Sequence, residues 1–186
     1  MKYIATTFLF MILVGCGGSG TEYLLSVPAS PSRSLHMRHH QIGVDQVTVP
    51  DYLSGNKIPK MDTPGEISYC DSAVWVSPPE KALTQHLIGH LKKRFLTPSV
   101  YRYPWDVEKG GGVRLKVEIN KFIYANSAVE LEANYYVEPM AGSRRVSKFF
   151  KTSVPVRKGE TALIVVGMNR AFDKLAAQVA RTIGSF

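Results

Sequence analysis

The feature that most restricts this chain is its final third, where three extended runs are followed by one helical run. Val113 to Tyr124, Val129 to Val137 and Val146 to Val156 each read as strands, and Leu131, Ala133 and Tyr135 keep one phase. Alternation of this kind makes one face of a sheet apolar. Asn126-Ser127 supplies the turn between the first two strands, and Ala141-Gly142-Ser143 leads to the third. From Thr161 to Ile183, the residues Val165, Met168, Phe172, Leu175, Ala176, Val179 and Ile183 recur at helical spacing. An apolar sheet face needs a cover, and this helix provides it. Arg144, Arg145, Lys148 and Lys151 make the third strand basic, while Phe149 and Phe150 put one ring on each face. The strand therefore reads as a sheet edge with cations whose stems lie along apolar surface.

Upstream the elements are shorter. Glu22 to Val27 reads as a first strand, and a connector marked by Pro28 and Pro31 carries His36, His39 and His40. No acidic or cysteine ligand stands beside these histidines, so they read as a polar loop. Gln41 to Val49 is a second strand with a bulge expected near Asp45-Gln46. Pro50-Asp51-Tyr52-Leu53 then turns the chain. An aromatic and a leucine in a turn are either tucked under the sheet or exposed for a neighbour, so these four residues are the candidate partner contact. Ile58 and the run Ile67 to Val76 are extended, joined through Thr63-Pro64-Gly65-Glu66, with Trp75 in the core.

Ser77-Pro78-Pro79-Glu80 announces a helix, with serine as cap, proline at the first position and glutamate to close a capping box. Leu83, Leu87, Ile88, Leu91 and Phe95 form its apolar face, and Thr97-Pro98 stops it. His86 and His90 lie four apart, a spacing zinc proteases use, but Leu87 stands where such enzymes carry glutamate. Both histidines are expected off the apolar face. Gly110-Gly111-Gly112 lacks the Gly-Lys-Ser/Thr that a phosphate loop requires and reads as a flexible loop. The fold class is α/β of the α+β kind: a mixed, mostly antiparallel sheet packed by two amphipathic helices in a single domain.

The N-terminus adds an address. Lys2 precedes an apolar run from Tyr3 to Val14, too short for a permanent span and of signal-peptide length. Leu13-Val14-Gly15-Cys16 resembles the bacterial lipobox, in which the cysteine becomes lipidated and the leader is removed. The expected divisions are a signal peptide over 1–15, a lipidated N-terminus and tether over 16–21, and one periplasmic domain over 22–186. Five residues of tether reach about 17 Å when extended, which holds the domain close to its membrane. Gly17, rather than an inner-membrane-retaining aspartate, follows the lipidated Cys16, so outer-membrane sorting is expected. Cys70 then has no intramolecular partner and reads as a small buried residue. Hydrophobic content of 45% and charged content of 20% suit an ordinary folded chain. The formal charge of +8 would suggest nucleic acid in a cytosolic protein; export redirects it towards anionic lipid head groups.

The order of these pieces resembles the PqiC-type, or ABC-type transport auxiliary, lipoproteins. Tyr23-Leu24-Leu25, Ile42-Gly43-Val44, Val49-Pro50-Asp51-Tyr52-Leu53, Trp75, Tyr103-Pro104-Trp105 and the closing strand and helix carry the resemblance. The histidines at positions 36, 39 and 40 depart from it. The resemblance implies a lipid-anchored outer-membrane protein facing the periplasm beside an ABC transporter and an inner-membrane protein with MCE (mammalian cell entry) domains. Such systems move phospholipids or other apolar molecules and maintain envelope integrity. It implies a non-enzymatic docking component with no catalytic residue, metal or cofactor, no nucleic-acid partner, and self-association left open. A structural envelope lipoprotein that binds cell wall or a secretion machine is the alternative, and a secreted hydrolase the more remote one.

Overall fold

A computed structural model describes residues 20–25, 34–36, 41–104, 112–141, 144–157 and 159–185, which include eight strands and three helices. In chain order these are β1 (Thr21–Tyr23), β2 (Gln41–Val44), α1 (Asp51–Ser54), β3 (Lys57–Thr63) and β4 (Glu66–Trp75). Then follow α2 (Pro79–Phe95), β5 (Val100–Arg102), β6 (Gly112–Ala125), β7 (Ala128–Pro139), β8 (Val146–Pro155) and α3 (Thr161–Ser185). The single mixed sheet is built around β6. On one side β6 runs antiparallel to β7 along almost its whole length, and β7 runs antiparallel to β8. On the other side it pairs in parallel first with β2 and then, at Tyr124 and Ala125, with β3. Beyond β2 lies β5, and beyond β3 lie β4 and β1. The antiparallel ladders are the long ones, and the added parallel pairings are short.

The hairpin between β6 and β7 closes on Asn126 and Ser127, both with positive φ, as a two-residue hairpin turn requires. In β7 the buried residues are Val129, Leu131, Ala133, Tyr135 and Val137, a strict alternation that places one apolar face against α3. α3 lies across β6, β7 and β8, and α2 packs against α3, α1 and β5. The expected bulge in the second strand takes the form of an interruption. β2 ends at Val44, and the ladder resumes at Thr48, whose carbonyl accepts a bond from the Ile119 amide.

Two local expectations are corrected. Ser77 does not cap α2: Pro78, extended at φ −50° and ψ 132°, holds the cap position and no side chain bonds there. The helix starts one residue later than the capping box requires, with Pro79 inside the first turn, so Glu80 falls one place short. Gly112 opens β6 instead of lying in a loop. A Cβ there would stand 2.8 Å from the Gln41 Cγ and 3.0 Å from the Met140 Sδ, so only glycine admits both neighbours undisturbed.

Gly167 sets how close α3 comes to the sheet. A Cβ at this position would lie 2.6 Å from the Val156 Cγ2 and 2.9 Å from the Val129 Cγ2, both on stiff β-branched side chains. Gly→Ala inside a helix ordinarily gains about 1 kcal/mol. Here the overlap costs about 1–3 kcal/mol and decides the sign. Gly167→Ala is accordingly expected to lower the urea midpoint of unfolding without abolishing the fold; an unchanged or raised midpoint would show that the helix can lift.

Candidate functional site

The turn chosen from sequence as a contact surface is a short helix. The Leu53 amide bonds to the Pro50 carbonyl at 2.9 Å, and the Ser54 hydroxyl donates to the Asp51 carbonyl at 2.8 Å. Leu53 is fully buried, Tyr52 is half-buried, and Asp51 is exposed. The Tyr52 hydroxyl accepts the Phe122 amide at 2.8 Å. Phe122 lies where β6 has passed the Thr48 bridge at Glu118 but has not reached its β3 partner at Tyr124. An extra residue between Ile119 and Lys121 also shifts the β7 register there. A side chain thus fills a gap that no strand fills, and burial pushes the Tyr52 hydroxyl above its ordinary pKa.

Tyr52→Phe leaves a buried amide without an acceptor and should cost about 1–2 kcal/mol in chemical denaturation. Tyr52→Ala should cost more, about 2–4 kcal/mol, because the ring is lost as well. Equal stability of the phenylalanine variant would contradict the role of the hydroxyl.

His86 and His90 are not off the apolar face. Both are buried between α2 and α3. His86 Nε2 and Asp173 Oδ1 are 2.6 Å apart, with the imidazole donating, and the Phe172 ring meets the imidazole edge-on at 5.0 Å. Among the described residues the His86 Nδ1 and both ring nitrogens of His90 have no hydrogen-bond partner. The physical reason is the position of α3: its Phe172 and Asp173 meet His86, and the buried residues of α2, from Ala82 through Leu83, Thr84, His86 and Leu87 to Ile88, extend beyond one stripe, so α2 is enclosed on more than one face. Among the described residues no three His, Cys, Asp or Glu side chains are grouped as metal ligands. His39, His40 and Cys16 lie outside the described residues, and the His36 carbonyl lies near the end of α3, where a Cβ added at Gly184 would stand 3.9 Å from it. Cys70 is buried, and desolvation raises its thiol pKa, away from reactivity.

Burial pushes His90 down to about 4, and His86, Arg94 and Lys93 act in the same direction against Asp173. The unfolded chain therefore binds a proton below the ordinary value of 6.5 that the native state refuses until about 4. Stability from this group is unaffected above that window and falls as pH drops through it. His90→Leu should flatten the decline in melting temperature between pH 6.5 and 4 relative to the parent. Parallel curves for the two proteins would rule the histidine out as its cause.

The face of the sheet away from α3 is charged. Arg114 donates twice to Asp45, at 2.9 Å and 2.9 Å, and its guanidinium stacks 4.2 Å from the Tyr103 ring. Lys116–Glu118, Lys121–Glu130 and Lys151–Glu132 pair at 2.6, 2.5 and 2.8 Å. Pairs this exposed add little stability each.

The model of the ABC-type transport auxiliary lipoprotein component matches residues 23–180, from the end of β1 into the last turns of α3. The chain belongs to this family. A crystal structure of an uncharacterised protein superimposes with a TM-score of 0.72 at 20% identity, covering 87% of this chain and 97% of the other. Protein XCC0632 from Xanthomonas campestris superimposes at 0.73 with 19% identity, covering 86% and 92% respectively. At such identities both likenesses bear on the fold alone. No curated protein sequence matches the chain. As a transport auxiliary lipoprotein it has no helix, among the described residues, that is long and apolar enough to cross a membrane.

Proposed function

We propose that this chain is a non-enzymatic docking subunit of an ABC transport system, anchored in the outer membrane through lipid on Cys16. Its partner in this reading is an inner-membrane MCE-domain protein, and the cargo is phospholipid or another apolar molecule. The observation that carries the reading is the family match, which spans the folded domain from β1 to α3. The short segment between Cys16 and β1 supports it, since five residues can carry the start of β1 no further than about 17 Å from the anchor. A domain so tethered acts as a fixed receiver: lipid anchors resist extraction by about 0.8 kcal/mol for each buried methylene.

The test uses the full chain expressed in a Gram-negative host. The parent should fractionate with outer-membrane markers, and Cys16→Ser should accumulate as an uncleaved or mis-sorted precursor. Parent protein captured from detergent-solubilised envelopes should bring down an MCE-domain protein. Cleavage of Cys16→Ser at the same bond would refute lipid anchoring. Capture of cell-wall or secretion components in place of a transporter would favour the structural lipoprotein, and turnover of an ester, peptide or glycan would favour the hydrolase.

A further inference from the structure

Strand alternation divides the basic residues of β8 and its approach into two sets. Arg145 stacks 4.1 Å from the Tyr136 ring and Lys151 pairs with Glu132, both on the charged outer face. Arg144, Val146 and Lys148 have the opposite parity and turn towards α3. There they line a cavity of about 360 Å³ with Gln178, Arg181, Thr182 and Ser185. Positions 178, 181, 182 and 185 share one stripe of α3, and every one of them is polar. Behind them the Tyr135 hydroxyl and the Thr182 hydroxyl meet at 2.8 Å, a buried polar contact within the apolar layer.

Among the described residues the lining holds three cationic side chains and no acidic one. Lys148 and Arg181 form no ion pair among the described residues, whereas the lysines of the outer face do. Arg181 is held by its own neighbour, donating to the side-chain Oε1 of Gln178 at 2.7 Å. That contact uses the Gln178 amide oxygen and not its amide nitrogen, which is a donor. The end of α3 brings about half a negative charge to this corner, which Lys148 and Arg181 outweigh. An apolar wall at Val146 stands beside them.

The geometry points to a binding site for a phosphate ester anion between β8 and the last turns of α3. Arg181 supplies a planar donor fork suited to phosphate oxygens, Lys148 supplies a compact positive charge, and Gln178 supplies a neutral donor. The cavity exceeds what a bare phosphate fills, and Val146 gives the remainder an apolar side. The inference stands on the composition of this cavity and does not rest on the transport reading.

Calorimetric titration of the full chain in nonionic detergent tests it with three probes: inorganic phosphate, dihexanoylphosphatidylglycerol and phosphate-free dihexanoylglycerol. At least one phosphate probe should bind. Lys148→Glu and Arg181→Glu, both at exposed positions, should each weaken that binding by at least about tenfold, as loss of a charged hydrogen bond implies. Lys151→Glu makes the same change in net charge on the other face and should leave binding unchanged. Tighter binding of phosphatidylglycerol than of phosphate assigns the site to a lipid head group, and equal binding assigns it to the free anion. The proposal is overturned if neither phosphate probe binds, if dihexanoylglycerol binds equally well, or if all three variants lose affinity alike.

Discussion

Strand β6 must satisfy backbone groups along both of its edges over fourteen residues, and the rest of the sheet is arranged by how it does so. One edge is met by a single partner, β7. The other edge is shared in succession by β2, the isolated bridge at Thr48, the Tyr52 hydroxyl and β3. A split sheet of this kind is stable only if the gap between the two parallel partners is closed. The short helix α1 closes it with one side chain, and buries Leu53 in doing so. The most sequence-distinctive turn of the chain is therefore structural at its centre, and only its rim is exposed.

The two faces of the sheet differ in what they ask of the side chains. Towards α3 the requirement is shape: Gly167 lets the helix approach until Val129 and Val156 touch its backbone surface. Away from α3 it is charge order, with lysine and arginine set against glutamate and aspartate across neighbouring strands. Such pairs contribute little energy singly, but a one-residue slip would place every charge on the apolar face. They therefore help to specify register. The buried histidines of α2 show the opposite economy, since polar rings occupy apolar space and most of their nitrogens are unbonded among the described residues.

The long strands and α3 were legible because each buries one face and so carries a clean period. Leu131, Ala133 and Tyr135 in β7, and Phe172, Leu175 and Val179 in α3, are placed where alternation and helical spacing put them. The parallel strands β2 and β5 were harder, being four and three residues long, too short for any period to show. His86 and His90 were misplaced because α2 is enclosed by α3 as well as by its apolar stripe, and single-face amphipathicity then fails. Leu83, His86, Leu87 and His90 do share one helical stripe, and that was the available signal. The role of Tyr52 had no local signal at all. It depends on a gap opposite Phe122, seventy residues away. The cationic cavity likewise needs the parity of β8 and a stripe of α3 together, and neither is remarkable alone.

The strand order also sets a timetable. β6, β7, β8 and α3 follow one another in the chain and pair with immediate neighbours, so their contacts close short loops. β2 is made early and is flanked in the finished sheet by β5 and β6, both of which come later. Synthesis begins at the N-terminus, and so β2 emerges with no strand to receive it. A strand made near the start of the chain is thus one that must wait for the later ones.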